Sequence, residues 1–504
     1  MVRRVLLLAA FFALAIGLYR NGLHIPYYDD DYQEVFTTPH ETLTHAFVIS
    51  NPFNHFYRPF ETAILSAIQF HWNWDTFPLR LVHLLLHAAG VLLVFHMLRT
   101  WKVSLVASAI ASVFMLASQM SVYAMASNNT VSQLLGAFFS ALSIWMLYRY
   151  LSVATESRSR WNMMVSLLFF FLALLSKETS ASLLLSLPLL AFVFQDRKKS
   201  FAGRLKKVVI FSLPYFVLFV IYWCLRANSG ASVPDANGPI TAYHFDLGSN
   251  VVRNVGLFIG QTFLPLSTVT VLRYFYLHDI AAIILAVVFT LLFATILLYG
   301  LWKSPRRNFA MVIFCFIFFS WLPMIFITHI TECYMYNSVI LVSVLFGIAA
   351  EYYWRLASER RSFLSIGALS IFSVVVVTNA LGTDEKCSDM AEQGRRAEIL
   401  FPQIVSAAKK MPAGCSMILT NLKDAQFSQS RYLMPCFNVL NHSDSLVHYY
   451  SGRADIILSR GDLEDLTLLP PGRSGIVFGC DPKTLRVQPV ASRPDSLLHL
   501  FSER

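Results

Sequence analysis

The chain has 504 residues, of which 56% are hydrophobic and only 14% charged, where soluble domains carry about a quarter charged residues. This balance excludes an ordinary soluble enzyme. The net charge of +10 is scattered over short connectors, not gathered on the basic soluble face that nucleic acid requires, so no nucleic-acid partner is expected. No phosphate loop ending in Gly-Lys-Ser/Thr, dinucleotide glycine fingerprint or Gly-x-Ser-x-Gly elbow occurs.

A helix needs about 20 mainly apolar residues to cross a bilayer. In chain order the candidates are 5–19, 79–98, 103–126, 131–151, 161–175, 181–195, 208–225, 280–302, 309–328, 338–356 and 362–381, about eleven in all. The first is read as a retained helix, not a cleaved leader. Lys and Arg fall on alternate connectors: Arg3 and Arg4, Arg99 and Lys102, Arg149 to Arg160, Arg197 to Lys207, Lys303 to Arg307, and Arg355 to Arg361. That asymmetry places the N-terminus in the cytoplasm. Segment 251–272 is also apolar, but it holds Arg253, Asn254, Gln261 and Pro265, and counting it would put Lys303 outside. It is therefore read as re-entrant or surface-lying on the outer side.

The first outer loop, 20–78, is long for a connector and carries an amphipathic helix over 60–72 with Ile64, Leu65, Ile68 and Phe70 apolar. From Gly382 the composition turns polar. A helix is expected over 389–411, short strands over 416–420 and 475–478, and turns at 412–414 and 470–472. The expected organisation is a membrane-embedded domain, 1–381, and an extracytoplasmic soluble α/β domain, 382–504. Cys387, Cys415, Cys436 and Cys480 lie in that second part, allowing up to two disulfides in three connectivities.

With this topology the ionisable residues collect at outer turns. Asp29, Asp30 and Asp31 follow the first span inside Tyr-Tyr-Asp-Asp-Asp-Tyr-Gln. An ionised Asp at the bilayer centre costs about 2.5–3.5 kcal/mol, so the run belongs at the membrane surface. Lys177 and Glu178 occupy another outer turn and Glu332 a third. Such carboxylates with a few cations suit a site that handles a proton and an anion; ordinary outer-loop acidity is the plain alternative. Arg58, in His55-Phe-Tyr-Arg-Pro, is the best anion ligand, because a guanidinium fork matches phosphate oxygens. A snorkelling surface arginine is the alternative there. Arg80 and Arg273 are weaker candidates of the same kind. His83 and His87 share a helix face but lack the zincin Glu, so they read as polar residues lining a bundle.

Taken in order, these residues resemble the GT-C superfamily of integral-membrane glycosyltransferases, in particular the protein O-mannosyltransferases and their transmembrane relatives that carry tetratricopeptide repeats. The resemblance rests on Asp29 to Asp31, Tyr57-Arg58-Pro59, Leu81-Val-His-Leu-Leu-Leu-His87-Ala, Ser176-Lys-Glu-Thr179 and Glu332-Cys-Tyr-Met-Tyr336. Cys333 stands where the family has Arg, the stretch Ser118 to Tyr123 lacks the family's His and Glu, and no tetratricopeptide repeats are present. The resemblance implies an all-α polytopic membrane protein of GT-C-like fold with a small C-terminal α/β domain. It implies an inverting, mannosyltransferase-like hexosyltransferase that takes its sugar from a polyprenyl-phosphate donor and serves a protein or glycan acceptor. One of Asp29, Asp30 and Asp31 would be the general base, with Asp30, the central one, taken first. Arg58, with Lys177 or Arg273, would bind the donor phosphate. Glu178, Glu332, Tyr334, Tyr336, His55, His83 and His87 would contact sugar or acceptor, the two glutamates alternatively holding the cations. No cofactor is assigned and a divalent metal stays open. The membrane is a bacterial inner membrane or the endoplasmic reticulum. A transporter or flippase of a lipid-linked or anionic solute, or a catalytically silent glycolipid-binding subunit, is the rival class.

Overall fold

The computed structural model describes residues 2–34, 45–50, 56–72, 75–152, 156–194, 200–231, 246–327, 331–360, 362–421, 434, 436–441, 443–460, 474–481 and 483–493. The chain divides into two compact units, Met1–Arg20 with Thr38–Glu385, and Asn21–Thr37 with Lys386–Arg504.

The first unit is a helical bundle. α1 (Val2–Leu18) is followed in the other unit by α2 (Asp30–Glu34); α3 (Pro59–Trp72) then returns to the bundle as the helix expected over 60–72. Its Leu65 and Ile68 are buried, while Phe70 is exposed. Then come α4 (Thr76–Thr100), α5 (Leu105–Ala117), α6 (Val122–Ala126), α7 (Val131–Ser152), α8 (Glu156–Ser176), α9 (Leu183–Val193) and α10 (Phe201–Asn228). Asp75, Ser104 and Ser200 start α4, α5 and α10 by accepting the orphan N–H groups of Phe77, Ala107 and Gly203. The bundle continues with α11 (Ser249–Phe263), α12 (Thr268–Tyr276), α13 (Ile280–Lys303), α14 (Arg307–Ile325) and α15 (Tyr336–Arg360).

Among the described residues, seven helices are long and apolar enough to cross a membrane, or nine if two bent pairs each count as one span. Three shorter apolar helices account for the remaining predicted segments. The chain is a multi-pass integral membrane protein, as its composition requires. α15 is central, with 89% of its span buried, whereas α10 and α13 are only 17% buried and turn apolar surface outward, as helices facing lipid do. Phe346 of α15 stacks on Phe114 of α5, ring centroids 4.2 Å apart.

Both bends have identifiable causes. The predicted span 103–126 breaks by 44° at Ser118, whose backbone is extended. Thr383 Oγ1 donates to the freed Ala117 carbonyl at 3.0 Å, and Asn379 Oδ1 accepts the Gln119 N–H at 3.2 Å. Segment 251–272 folds back by 120° between α11 and α12, around Pro265. The Pro265 carbonyl accepts Thr378 Oγ1 at 2.7 Å, and the Leu266 carbonyl accepts Gln119 Nε2 at 3.3 Å. Irregular backbone at membrane depth survives only where protein groups satisfy it in this way.

One boundary differs from expectation. α16 (Phe363–Lys410) runs unbroken for 48 residues, where the change of composition at Gly382 had suggested an end. Gly382 lies inside this helix where it passes close to Ser267: a Cβ there would stand 2.9 Å from Ser267 Cβ. Composition marks where this helix changes surroundings, not where it stops.

The second unit is a small α/β fold. Its sheet has the order β2-β1-β3-β4, from β1 (Ser416–Asn421), β2 (Ile457–Arg460), β3 (Gly475–Cys480) and β4 (Val487–Arg493). β1 pairs in parallel with β2 and β3, while β4 is antiparallel to β3. The central strands β1 and β3 are the two that the sequence revealed. The edge strands β2 and β4 carry Ser, Arg, Gln and Pro489, which is how edges discourage further pairing and also why they escaped notice. α17 (Asp444–Ser451) completes the described elements. The predicted turn at 470–472 lies outside the described residues. Residues 21–37 of the first loop belong to this unit: Pro26 packs so tightly on Gly394 that a Cβ there would meet its Cδ at 2.6 Å, and Tyr32 stacks on Phe401 at 5.9 Å.

Candidate active site

The aspartate run forms a rigid turn in the second unit. Asp29 has φ +56°, a left-handed conformation that Asp tolerates better than most residues. Its N–H donates to the Val439 carbonyl at 2.8 Å, and Asn441 Nδ2 donates to its Oδ1 at 3.0 Å. Asp31 is buried and its Oδ2 accepts the Tyr28 N–H at 3.3 Å. Asp30, the first residue of α2, is the most accessible of the three. Burial, with Asp31 and Glu398 beside it, pushes the Tyr32 phenol up, so that ring stays neutral.

In the first unit, Arg58, Lys177 and Glu178 come together at one end of the bundle. Arg58 Nε and Nη2 reach the two Glu178 oxygens at 2.9 and 2.7 Å, a bidentate pair. Its Nη1 reaches Glu61 at 3.3 Å, and the other Glu61 oxygen accepts the Ser132 N–H at the start of α7. Lys177 Nζ lies 3.9 Å from Glu178. Arg226, at the end of α10, is close enough to act on the same carboxylate. The Phe56 ring lies 4.0 Å from the Arg58 guanidinium carbon, and Tyr57 donates its hydroxyl to the Phe47 carbonyl. Burial works against a charged Glu178, yet Arg58, Lys177 and Arg226 hold its carboxyl well below the usual range. Among the described residues, three cations gather around the Glu178 carboxylate in a largely buried setting. Such a cluster suits an anion with several oxygens.

Arg273 and Glu332 belong to a second group, around α12. Arg273 Nη1 pairs with Glu385 at 2.5 Å, and Thr270 Oγ1 donates to the same carboxylate at 2.7 Å. Glu332, in a tight 3₁₀ turn with the buried Tyr334, accepts Thr268 Oγ1 at 2.9 Å. The remaining predicted residues sit within the bundle. His87 Nδ1 shares a 2.9 Å hydrogen bond with the Tyr336 hydroxyl, and His83 Nδ1 lies 3.1 Å from the Met125 carbonyl. Arg80, fully buried, binds the Met125 and Ser127 carbonyls and Asn128 Oδ1, so it clamps the bent segment after α5. His55 lies outside the described residues. Among those described, no group of three or more His, Cys, Asp and Glu is placed to hold a metal ion. A crevice of about 420 Å³ lies at the basic ends of α4 and α15, lined by Arg99, Lys102, Glu351 and Arg355, apart from this chemistry.

Sequence reasoning missed Glu61, Arg226 and Glu385. Glu61 stands one helical turn after Arg58, and Arg226 is the isolated cation that ends an apolar run, so both had a readable signal. Glu385 was hidden because its segment had been placed in the soluble part.

No protein-family model and no curated protein sequence matches the chain. The fold, a helical bundle with a sharply bent hairpin together with a C-terminal α/β unit, has counterparts among solved structures at low sequence identity. Among solved structures the chain is similar to ArnT from Cupriavidus metallidurans in the apo state, with TM-score 0.54 and 14% identity over 98% of this chain and 99% of that one. Against the same protein bound to undecaprenyl phosphate the TM-score is 0.50, with 13% identity over 94% and 93% of the two chains. The oligosaccharyltransferase of Archaeoglobus fulgidus aligns with TM-score 0.49 and 11% identity, over 92% of this chain and 65% of that one. At such identities the likeness establishes the fold and leaves the substrate open.

Proposed function

We propose that the protein is a membrane glycosyltransferase that moves a sugar from a polyprenyl-phosphate donor to an acceptor hydroxyl on a protein or glycan. The observation that carries this reading is the buried cluster of Arg58, Lys177 and Arg226 around Glu178 in a GT-C-like fold. The binding of undecaprenyl phosphate by the similar ArnT supports the donor class. The acceptor hydroxyl attacks the anomeric carbon opposite the phosphate, the new C–O bond forms as the bond to phosphate oxygen breaks, and the configuration inverts. Asp30 takes the hydroxyl proton, a contribution of about 10²–10⁴-fold for a positioned base; Asp29 and Asp31 shape the turn that presents it. Phosphate leaves as a stable anion, so no second carboxylic acid is required. Arg58, Lys177 and Arg226 offset the charge that develops on it, and Arg273 is a further cation for the same task. Glu178 and Glu61 hold those cations in place. The N-terminus is cytoplasmic and the second unit extracytoplasmic, in a bacterial inner membrane or the endoplasmic reticulum.

The test is reconstitution in vesicles with a radiolabelled polyprenyl-phosphate sugar and hydroxyl acceptors. Label should appear on the acceptor with the wild-type protein and not with Asp30→Asn, while Asp30→Asn retains donor binding. Label carried across the vesicle wall without transfer would instead mark a transporter.

A further inference from the structure

A second charged space lies at the far end of the bundle from the Arg58 cluster. Glu61, beside Arg58, accepts the Ser132 N–H at the start of α7, whereas Tyr148, near the end of α7, packs on Trp101 with ring centroids 5.5 Å apart. From Ser132 to Tyr148 that helix climbs about 24 Å, at about 1.5 Å per residue. Here the crevice of about 420 Å³ opens where α4 and α15 end and α5 begins, lined by Arg99, Lys102, Ser104, Glu351, Trp354 and Arg355. Basic residues at a helix end ordinarily answer its exposed carbonyls. At the end of α4 those carbonyls already have donors. The Met97, Arg99 and Leu98 carbonyls accept the N–H groups of Trp101, Lys102 and Val103 at 3.0, 3.1 and 3.0 Å. Arg306 Nε and Nη2 bind the Trp101 and Lys102 carbonyls at 3.1 and 2.7 Å, and Arg99 Nη1 binds that of Val103. Glu351, 1% exposed, is satisfied too, accepting the Ser104 N–H at 2.9 Å and Arg355 Nε at 2.6 Å. Glu359, exposed, is the other carboxylate of the lining.

Lys102 adds a second observation. The bonds from Lys102 N–H to Arg99 and from Val103 N–H to Leu98 form a Schellman turn, and Lys102 fills its left-handed position with φ +57°. Glycine takes that position without strain, whereas a Cβ makes it costly. What lysine brings to the turn is therefore its charge. We propose that this crevice binds the phosphate of an anionic phospholipid headgroup, held by Arg99, Lys102 and Arg355. The guanidinium forks match phosphate oxygens and the ammonium adds a point charge. Trp354, 37% exposed, stands in the same wall, and indole rings settle at headgroup level, which favours a lipid over a soluble phosphate. The leaflet is the one opposite the Arg58 cluster. With the N-terminus cytoplasmic, as proposed above, it is the inner leaflet, where basic pockets between spanning helices suit anionic headgroups. A bound headgroup ties the ends of α4 and α15 to the start of α5.

The test titrates the delipidated full chain, in neutral detergent, with phosphatidylglycerol, phosphatidylcholine or inorganic phosphate, and follows the unfolding midpoint. Phosphatidylglycerol should raise the midpoint saturably, and phosphatidylcholine should bind at least about fivefold more weakly. An equal response to phosphatidylcholine overturns the anionic headgroup, and an equal response to inorganic phosphate overturns the lipid. No response to any of the three overturns the site. Lys102→Gly keeps the left-handed turn, so its midpoint without lipid should match or exceed that of the wild type. Its affinity for phosphatidylglycerol should nevertheless fall about fivefold, the share of one basic group at a membrane surface. Unchanged affinity in this variant overturns the assignment, because the protein is folded and only the ammonium is gone. Arg58→Ala should bind phosphatidylglycerol as the wild type does; a loss there would mean that the lipid occupies the Arg58 cluster, and overturns a separate site.

Discussion

Replacing Glu178 with Gln removes one charge from the cluster around Arg58 and keeps the side chain's shape. Arg58 is 6% exposed and Glu178 27%, and the two make a bidentate contact at 2.9 and 2.7 Å. Breaking a fully buried pair by altering one partner costs about 3–5 kcal/mol, because the remaining charge is left uncompensated. Here Glu61 still touches Arg58 at 3.3 Å and Glu178 is partly wet, so about 2–3 kcal/mol is expected. A double-mutant cycle with Arg58→Met, read by unfolding in detergent, should return a coupling of about 2 kcal/mol. A coupling below about 0.5 kcal/mol would refute the claim that these two groups organise the site. The pH dependence sharpens the test. The folded-state pKa of Glu178 is depressed, so its stabilisation is fully present above the unfolded value, about 4.3, and is lost only as pH falls through the lower folded value. The penalty of Glu178→Gln should therefore stay constant from about pH 8 to pH 5. A penalty that shrinks across that window would mean the carboxylate titrates normally.

Other expectations follow from single contacts. Arg58→Ala should weaken polyprenyl-phosphate binding at least tenfold by tryptophan quenching or scintillation proximity, whereas unaltered affinity would remove Arg58 from the phosphate site. Tyr336→Phe leaves His87 without its 2.9 Å partner in the bundle core and should cost about 1–3 kcal/mol of stability. Gly394→Ala drives a methyl group into Pro26 and should destabilise the second unit by about 1–3 kcal/mol, seen as faster proteolysis near residue 26. A normal protease pattern would mean that the Pro26 segment yields at no cost.

Much of the fold was legible because the bilayer imposes one strong rule, that backbone groups in lipid must be satisfied within a helix. Runs of apolar residues therefore announced the spans, and Pro265 with its polar neighbours announced the bent hairpin. The same rule hides what happens at a break. Nothing local to Ser118 shows that Thr383 and Asn379, some 260 residues away, would supply the missing hydrogen bonds. The second unit was harder to read, since its edge strands are short and polar and the change of composition at Gly382 falls inside an unbroken helix.

The candidate site was legible by residue type but not by partnership. A charge beside a membrane is costly, so Asp29 to Asp31, Arg58, Lys177, Glu178, Arg273 and Glu332 stood out at once. Their grouping depends on which helix ends meet, and that is a long-range property. Arg58 and Glu178 are 120 residues apart in sequence yet bidentate in space, while Arg273 turns to Glu385. This division bears on mechanism. A guanidinium already bound at two atoms to a carboxylate is poorly placed to grip phosphate by itself, but its held orientation costs nothing further when the donor arrives. Lys177 and Arg226 can then supply further contacts, around a fixed Arg58. If that order is right, Glu178→Gln should raise KM for the donor more than it lowers kcat, because the cluster loses its preorganisation and the base does not. An equal fall in kcat with KM unchanged would place Glu178 in contact with the reacting sugar instead.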